Sequence, residues 1–204
     1  MSEQWQYLVT DGELEDLIMA YCNDFTRLAK AGRFGPIAGR DREVDETILI
    51  LLQKGRKNAV LLAPAGVGKT ALCVGLAQKI VANDVPDFLK DARVLELDLA
   101  SMAAGTSKIS EFQGRIVPML KGIGERYFSP DYPKTILFID EVHRFTAVQQ
   151  DALLPSIENG TITFIGATTE NPFFAVNKAL ISRSRVFTLL PLEEKDLKKI
   201  IKKV

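Results

Sequence analysis

Apolar positions recur at helical spacing from the start of the chain. Leu14, Leu17, Ile18, Tyr21, Phe25 and Leu28 share one face and predict a helix over 13–30. Gly32, Gly35 and Pro36 break the pattern. Val44, Ile48, Leu51 and Leu52 form a second stripe, which predicts a helix to about Gln53 with Asp41 as its N-cap. Ala59-Val-Leu-Leu62 is a continuous apolar run and predicts a first strand. Leu72, Leu76 and Ile80 return to helical spacing until Asp84-Val-Pro86 stops it. Val94-Leu-Glu-Leu-Asp98 alternates and predicts a second strand. Ala103 to Ser110 is small and polar, a loop. Phe112, Ile116, Leu120 and Ile123 predict a helix over 111–127, which Pro118 kinks or starts, and Ser129-Pro-Asp-Tyr-Pro133 is a turn.

Thr135-Ile-Leu-Phe-Ile139 suits a parallel strand buried on both faces. Gln149 to Glu158 predicts a helix ended by Asn159-Gly160. Thr161–Ile165 and Val186–Leu190 predict the fourth and fifth strands, and a charged helix begins at Glu193. Its lysines, Lys198, Lys199, Lys202 and Lys203, read as a solvated face. Five strands alternating with helices predict an α/β domain with a five-stranded, mostly parallel sheet. Ligands of such sheets sit at the carboxyl ends of the strands. The segment after Leu62, the pair Asp140-Glu141 and the pair Thr168-Thr169 all follow strands directly, so they are expected on one edge.

The segment after the first strand is Ala63-Pro-Ala-Gly-Val-Gly-Lys-Thr70. Strand, glycine loop and helix make the context of a phosphate-binding loop. Gly66 and Gly68 let backbone N–H groups turn around an anion, and the helix that starts there adds its free N–H groups and dipole. Pro64, Ala65, Gly66, Val67, Gly68, Lys69, Thr70 and Ala71 are the candidate nucleotide contacts. Lys69 would reach the β- and γ-phosphates, and the Thr70 hydroxyl would bind Mg²⁺. Asp140, at the end of a buried strand, is placed to hold Mg²⁺; Glu141 beside it would orient and deprotonate the attacking water. Thr169 is a candidate contact to the γ-phosphate or water, set against a plain turn cap. Arg183 and Arg185 precede the fifth strand; either would stabilise transition-state charge in a neighbouring subunit, but spacing alone favours a surface salt bridge. His143, the only histidine, lacks nucleophile or metal partners and is read as a packing or polar-contact residue.

Composition changes little. The chain has 204 residues, 47% hydrophobic and 25% charged, enough for one large domain. Lys+Arg and Asp+Glu each number 26, so the balance points to neither nucleic acid nor membrane. Cys22 and Cys73 make no disulfide framework and no metal spacing, and the expected setting is reduced and cytoplasmic. Met1-Ser-Glu-Gln-Trp5 lacks a signal peptide's basic start, and no apolar run is long enough to span a bilayer.

The motifs together resemble an AAA+ ATPase. Residues 21–142 resemble the first ATPase domain of Clp-type (ClpA/ClpB) unfoldases, through Phe34-Gly-Pro-Ile-Ala-Gly-Arg-Asp41, Gly66-Val-Gly-Lys-Thr-Ala71, Gly75-Leu-Ala-Gln-Lys-Ile80 and Asp84-Val-Pro86. Residues 138–190 resemble the RarA/MgsA recombination-factor ATPases, through Phe138-Ile-Asp-Glu-Val-His-Arg-Phe145, Ile165-Gly-Ala-Thr-Thr-Glu-Asn-Pro172 and Ser182-Arg-Ser-Arg-Val186. A natural mosaic, a divergent family or a chimera would each give this pattern, and a mosaic predicts imperfect packing where helices 111–127 and 147–158 meet. The resemblance implies a P-loop NTPase three-layer sandwich. Its expected parts are a helical lead-in over 1–35, the large α/β nucleotide-binding domain over 36–190, and the start of a helical lid, otherwise absent, over 191–204.

The resemblance also implies roles. Ile37 and Ala38 would line the adenine, Thr169 (with Thr168 as alternate) would be the polar sensor, and Arg183 the trans-acting arginine. ATP/ADP and Mg²⁺ are the implied cofactors, and a ring-forming homo-oligomer of the hexamer type is the implied assembly, with no membrane partner. Three departures stand out. Ala63 replaces the first glycine of the loop, Lys108 holds the aromatic position of a Clp pore loop, and the missing lid would weaken binding or slow turnover. The expected activity is ATP hydrolysis driving remodelling of a protein client. The alternatives are a DNA-linked clamp-loader-like ATPase, or a nucleotide-binding assembly module without turnover.

Overall fold

The computed structural model describes residues 7–104, 109–194, 196 and 198. Its centre is a six-stranded sheet: β1 (Cys22–Asp24), β2 (Asn58–Leu62), β3 (Arg93–Leu97), β4 (Thr135–Ile139), β5 (Ile162–Thr168) and β6 (Ser184–Thr188). The spatial order is β1-β3-β4-β5-β2-β6. All neighbours run parallel except β1, which pairs antiparallel with β3 at the edge. The α/β class and parallel sheet are as expected; the sixth strand is not.

Strand alternation divides the core into two layers. Ile136 and Phe138 face one side of β4, packing with Val44 and Ile48 of α3 (Asp41–Leu51) and with Leu72 and Leu76 of α4 (Lys69–Val81). Leu137 and Ile139 face the other side. They pack with Leu14 and Ile18 of α1 (Asp11–Tyr21) and with Phe112 and Ile116 of α6 (Ile109–Glu125). Every residue of β4 is buried, as a central parallel strand requires.

Several boundaries differ from the pattern. The helix expected over 13–30 is α1 and α2 (Phe25–Lys30), split by β1. Asp24 accepts the Arg27 N–H at 2.9 Å and caps a new helix, while Cys22, Asn23 and Asp24 pair with β3. The N-cap of α3 is Arg40, not Asp41, and Arg40 makes no side-chain cap bond because a guanidinium has no acceptor for the helix's free N–H groups. Asp41 opens the first turn, where its charge still favours the dipole. The helix expected over 149–158 is two short ones, α7 (Ala147–Asp151) and α8 (Leu154–Glu158), since Pro155 lacks the N–H to continue the ladder. Strand β5 runs on to Thr168, and β6 lies two residues earlier than expected.

Pro118 lies within α6 rather than at its start. The region where the two resemblances meet is well packed. Phe112 and Phe145 meet edge to face at 5.4 Å, and Leu153 and Ile157 are buried beside them. Most of the helix expected from Glu193 lies outside the described residues, as does Lys108.

Candidate nucleotide site

The turn after β2 is built by two glycines in left-handed backbone, Gly66 (φ 78) and Gly68 (φ 99). Only glycine adopts these angles without strain, and they turn successive N–H groups inward. A Cβ on Gly66 would meet nothing within 4 Å, so the left-handed backbone rather than crowding is what calls for glycine there. Ala63 is fully buried, its N–H bonded to Thr168 O at 3.0 Å, which ties the loop's first residue to the end of β5. Alanine serves at this position because its φ is not positive. Gly68 is the N-cap of α4, so the helix's free N–H groups face the loop. Pro64, Ala65 and Thr70 are exposed; Val67 and Ala71 are half-buried.

Lys69 is buried, with 6% of its surface exposed. Its Nζ lies 2.6 Å from Glu141 Oε1 and 3.5 Å from Asp140 Oδ1. The glycine loop and the acidic end of β4 thus converge, as the strand order requires. Hydrogen bonding from Lys69 holds the Glu141 carboxyl below the usual carboxylate range, helped by the charges of Lys69, His143 and Arg144. Glu141 sits in left-handed backbone (φ 53), a conformation a non-glycine residue holds at about 1–3 kcal/mol of strain. Such strain concentrates at working sites, and here it turns the carboxylate toward the loop. Asp140 Oδ1 accepts the Glu141 N–H at 2.9 Å and stabilises that turn.

Thr168 and Thr169 separate clearly. Thr168 ends β5 and is fully buried, with Oγ1 3.0 Å from His143 Nδ1; Thr169 is the next residue and is exposed. His143 bridges onward, its Nε2 3.3 Å from Glu141 Oε2. Ile37 and Ala38 are half-buried beside α4, and the Ile37 N–H bonds Gln78 Oε1 at 3.4 Å. Ile37 helps line a crevice of about 300 Å³ with Arg40, Val44, Gly75 and Gln78.

Sequence reasoning passed over Arg40. It is 2% exposed and touches the loop directly: Nη2 donates to Val67 O and to Leu190 O (2.8 Å), and Nη1 to Glu43 Oε1 (2.6 Å). The signal for it is its place in Gly39-Arg-Asp41, the stretch that carries the Clp-type resemblance.

Arg183 is far from these groups in its own chain. It follows α10 (Lys178–Ser182) and precedes β6, whose first residue pairs with Asn58, the first of β2. The glycine loop leaves the other end of β2, about 13 Å away at ~3.3 Å per residue. Arg183 Nη2 pairs with Glu158 at 2.8 Å, and Arg185 reaches Gln53 at 3.4 Å.

The residues present fit a nucleotide and Mg²⁺. The open cradle of N–H groups and the buried lysine suit phosphates. A hydroxyl (Thr70) and one carboxylate (Asp140) suit a cation that takes its other ligands from phosphate and water. Among the described residues no group of three or more His, Cys, Asp or Glu side chains is placed to hold a metal by itself.

A glycine loop between β2 and α4, facing the acidic end of β4 in a parallel sheet, defines a P-loop nucleoside-triphosphatase fold. Residues 59–192 match the family described as ATPase family associated with various cellular activities (AAA). The chain belongs to that family. It is similar to the chaperone protein ClpB of Chlamydia muridarum, 39% identical over 161 residues, covering 75% of this chain and 18% of that protein. It is also similar to ClpB of Staphylococcus aureus, 34% identical over 194 residues, covering 91% of this chain and 22% of that one. Among solved structures, the S. cerevisiae Hsp104–ADP complex superposes with a TM-score of 0.80 at 30% identity, covering 91% of this chain and 33% of that one. A closed-state structure of Hsp104 with ATPγS and FITC casein gives 0.79. The chain spans about a fifth of the length of these curated relatives and a third of the solved chains. These matches give no support to the RarA/MgsA resemblance or to a mosaic, since the ClpB likeness runs across the supposed junction. No helix among the described residues is long and apolar enough to cross a membrane.

Proposed function

We propose that this chain is the large nucleotide-binding domain of a ClpB-type AAA+ ATPase, binding ATP with Mg²⁺ and hydrolysing it. One observation carries the reading: Lys69 of the glycine loop lies 2.6 Å from Glu141 and 3.5 Å from Asp140, so phosphate, metal and water-activating groups share one edge.

The loop from Pro64 to Ala71 cradles the phosphates, with Lys69 on the β- and γ-oxygens and Ile37 and Ala38 beside the adenine. Thr70 and Asp140 hold Mg²⁺, which supplies charge neutralisation on the phosphate oxygens when bound. Glu141 takes the proton of a water that attacks the γ-phosphorus; the bond to the β-phosphate oxygen breaks and ADP leaves. Thr169 and the buried Thr168 are the two sensor choices, and the burial of Thr168 beside His143 supports the second. Arg183, on the opposite edge from its own loop, serves the site of a neighbouring copy.

That division supports a homo-oligomeric ring, of the hexamer type. The client is a protein, by analogy with the ClpB chaperones and the casein-bound Hsp104, and the setting is cytoplasmic. Residues 1–35 form the lead-in, 36–190 the nucleotide domain and 191–204 the start of the lid. The test is steady-state ATP hydrolysis across protein concentration, beside Glu141→Gln. Specific activity that rises with concentration and disappears in the variant supports the reading. Binding without turnover at any concentration rejects the hydrolase and leaves a binding module.

A further inference from the structure

His143 lies within the acidic cluster, 13% exposed. Its Nδ1 is 3.0 Å from Thr168 Oγ1, and its Nε2 is 3.3 Å from Glu141 Oε2 and 3.9 Å from Glu170 Oε1. Thr168 Oγ1 accepts the Glu170 N–H at 3.0 Å, which leaves its own proton to donate. Two acceptors are in reach of that proton, His143 Nδ1 at 3.0 Å and Glu170 O at 3.4 Å, and the nearer is the ring. Donated to Nδ1, the proton makes Nδ1 an acceptor and leaves the ring's single N–H on Nε2, beside the Glu141 carboxylate. The Glu170 carboxylate is the more distant and the more exposed of the two acids.

We infer that His143 is a positioning residue for Glu141: Thr168 fixes the imidazole tautomer, and Nε2–H holds Glu141 Oε2 when Lys69 turns to phosphate. This rests on reading Glu141 as the base. Glu141 Oε1 is hydrogen-bonded by Lys69 at 2.6 Å, and Oε2 lies 3.3 Å from His143 Nε2, a contact that a small rotation of the carboxylate would make a hydrogen bond. A γ-phosphate would compete with Glu141 for the Lys69 ammonium, now 2.6 Å from Oε1. His143 Nε2 lies beside the other oxygen and is not drawn on by the phosphate. A base left to rotate loses the alignment on which general-base catalysis depends, a factor of about 10²–10⁴ when complete. Losing the partner that orients a working side chain costs about 10–100-fold, the range found for residues that hydrogen-bond metal-binding side chains. The arrangement also joins the end of β5 to the end of β4, so a γ-phosphate contact at Thr168 would be felt at Glu141 through the ring.

The chain has one histidine, so ¹⁵N NMR reports this ring without ambiguity. With the ring neutral, the wild-type proton is expected on Nε2, and Thr168→Val is expected to mix the tautomers. His143→Phe should lower kcat about 10–100-fold, with ATP affinity within about twofold. His143→Gln, whose amide N–H can reach Glu141, should restore part of the loss. A proton on Nδ1, a ring indifferent to Thr168→Val, or an unchanged kcat in a cooperatively folded His143→Phe overturns the inference. If Glu141→Gln hydrolyses ATP like the wild type, the base reading fails instead, and the NMR result separates the two failures.

Discussion

Arg40 is the residue whose removal should tell most about how the phosphate loop is held. The change is Arg40→Ala, with Arg40→Lys beside it. The guanidinium is almost wholly buried and makes three bonds: to Val67 O inside the loop, to Leu190 O beyond β6, and to Glu43 in α3. Hydrogen bonds from a charged group are worth about 1.5–3 kcal/mol each. Breaking a buried ion pair costs about 3–5 kcal/mol, a figure reduced here because Glu43 is a quarter exposed and water can solvate it. These contributions overlap, so about 3 kcal/mol is the expected loss for alanine. In a chain of this length each kcal/mol moves Tm by about 2–4 °C, so the melt should fall by about 6–12 °C. Lysine keeps the charge but not the fork, and should lose about half as much.

The loss should also reach the ligand. Val67 lies between Gly66 and Gly68, and once its carbonyl is released the loop must reform its cradle on binding. If about 1.4 kcal/mol of the cost falls there, ATP affinity weakens about tenfold. Thermal melting with and without ATP, and titration calorimetry, measure both quantities. An Arg40→Ala variant that melts within about 2 °C of wild type and binds ATP equally well would falsify the reasoning.

Two further outcomes test the packing and the buried thiols. Gly122 and Gly114 lie in the same helix, α6, but substitution to alanine should have opposite signs. A Cβ at 122 would sit 2.7 Å from Val9 Cγ2 and 3.0 Å from the buried Leu14 Cδ1, so Gly122→Ala should destabilise by about 1 kcal/mol after its helix-propensity gain. Gly114 is exposed with nothing within 4 Å of that Cβ, so Gly114→Ala should stabilise by about 0.5–1 kcal/mol; urea melts that move both variants the same way would contradict this. Burial pushes the Cys22 thiol up to about 12 and raises Cys73 as well. A raised pKa means stability is complete below the ordinary value of 9.0 and declines as pH rises toward 12, by about 1.4 kcal/mol per pH unit for each thiol. Neither thiol should react with a disulfide reagent until the chain unfolds; fast labelling of the native protein would show that the buried layers open.

What could be read in advance was whatever the chain writes in consecutive residues. The glycine loop is legible because its backbone angles are set by Gly66 and Gly68 themselves. The fully apolar β4 is legible because a strand covered on both faces has no polar side to hide. Strand β1 was not, because three residues carry no period, and the apolar stripe of α1 and α2 runs through Cys22 without interruption. Its strand character comes from an open edge of β3, which no local pattern records. Pro155 did carry a local signal, and the longer helical stripe obscured it.

The choice between Thr168 and Thr169 shows the limit most sharply. Side chains alternate along a strand, so the residue that points inward depends on where the strand is still extended. Ending the fourth strand at Ile165 left that parity open; the observed β5 continues to Thr168 and puts it on the face of Phe164, beside His143. The same holds for Arg40 and His143. Each acts on a group brought near by a different element: Val67 by the turn after β2, Thr168 by the end of β5. A charged residue before a helix drew no reading and a lone histidine after an acidic pair only that of a packing or polar-contact residue, because nothing beside them in sequence names their partners. The site's chemistry is thus written locally, while the contacts that hold it in position are written across the sheet.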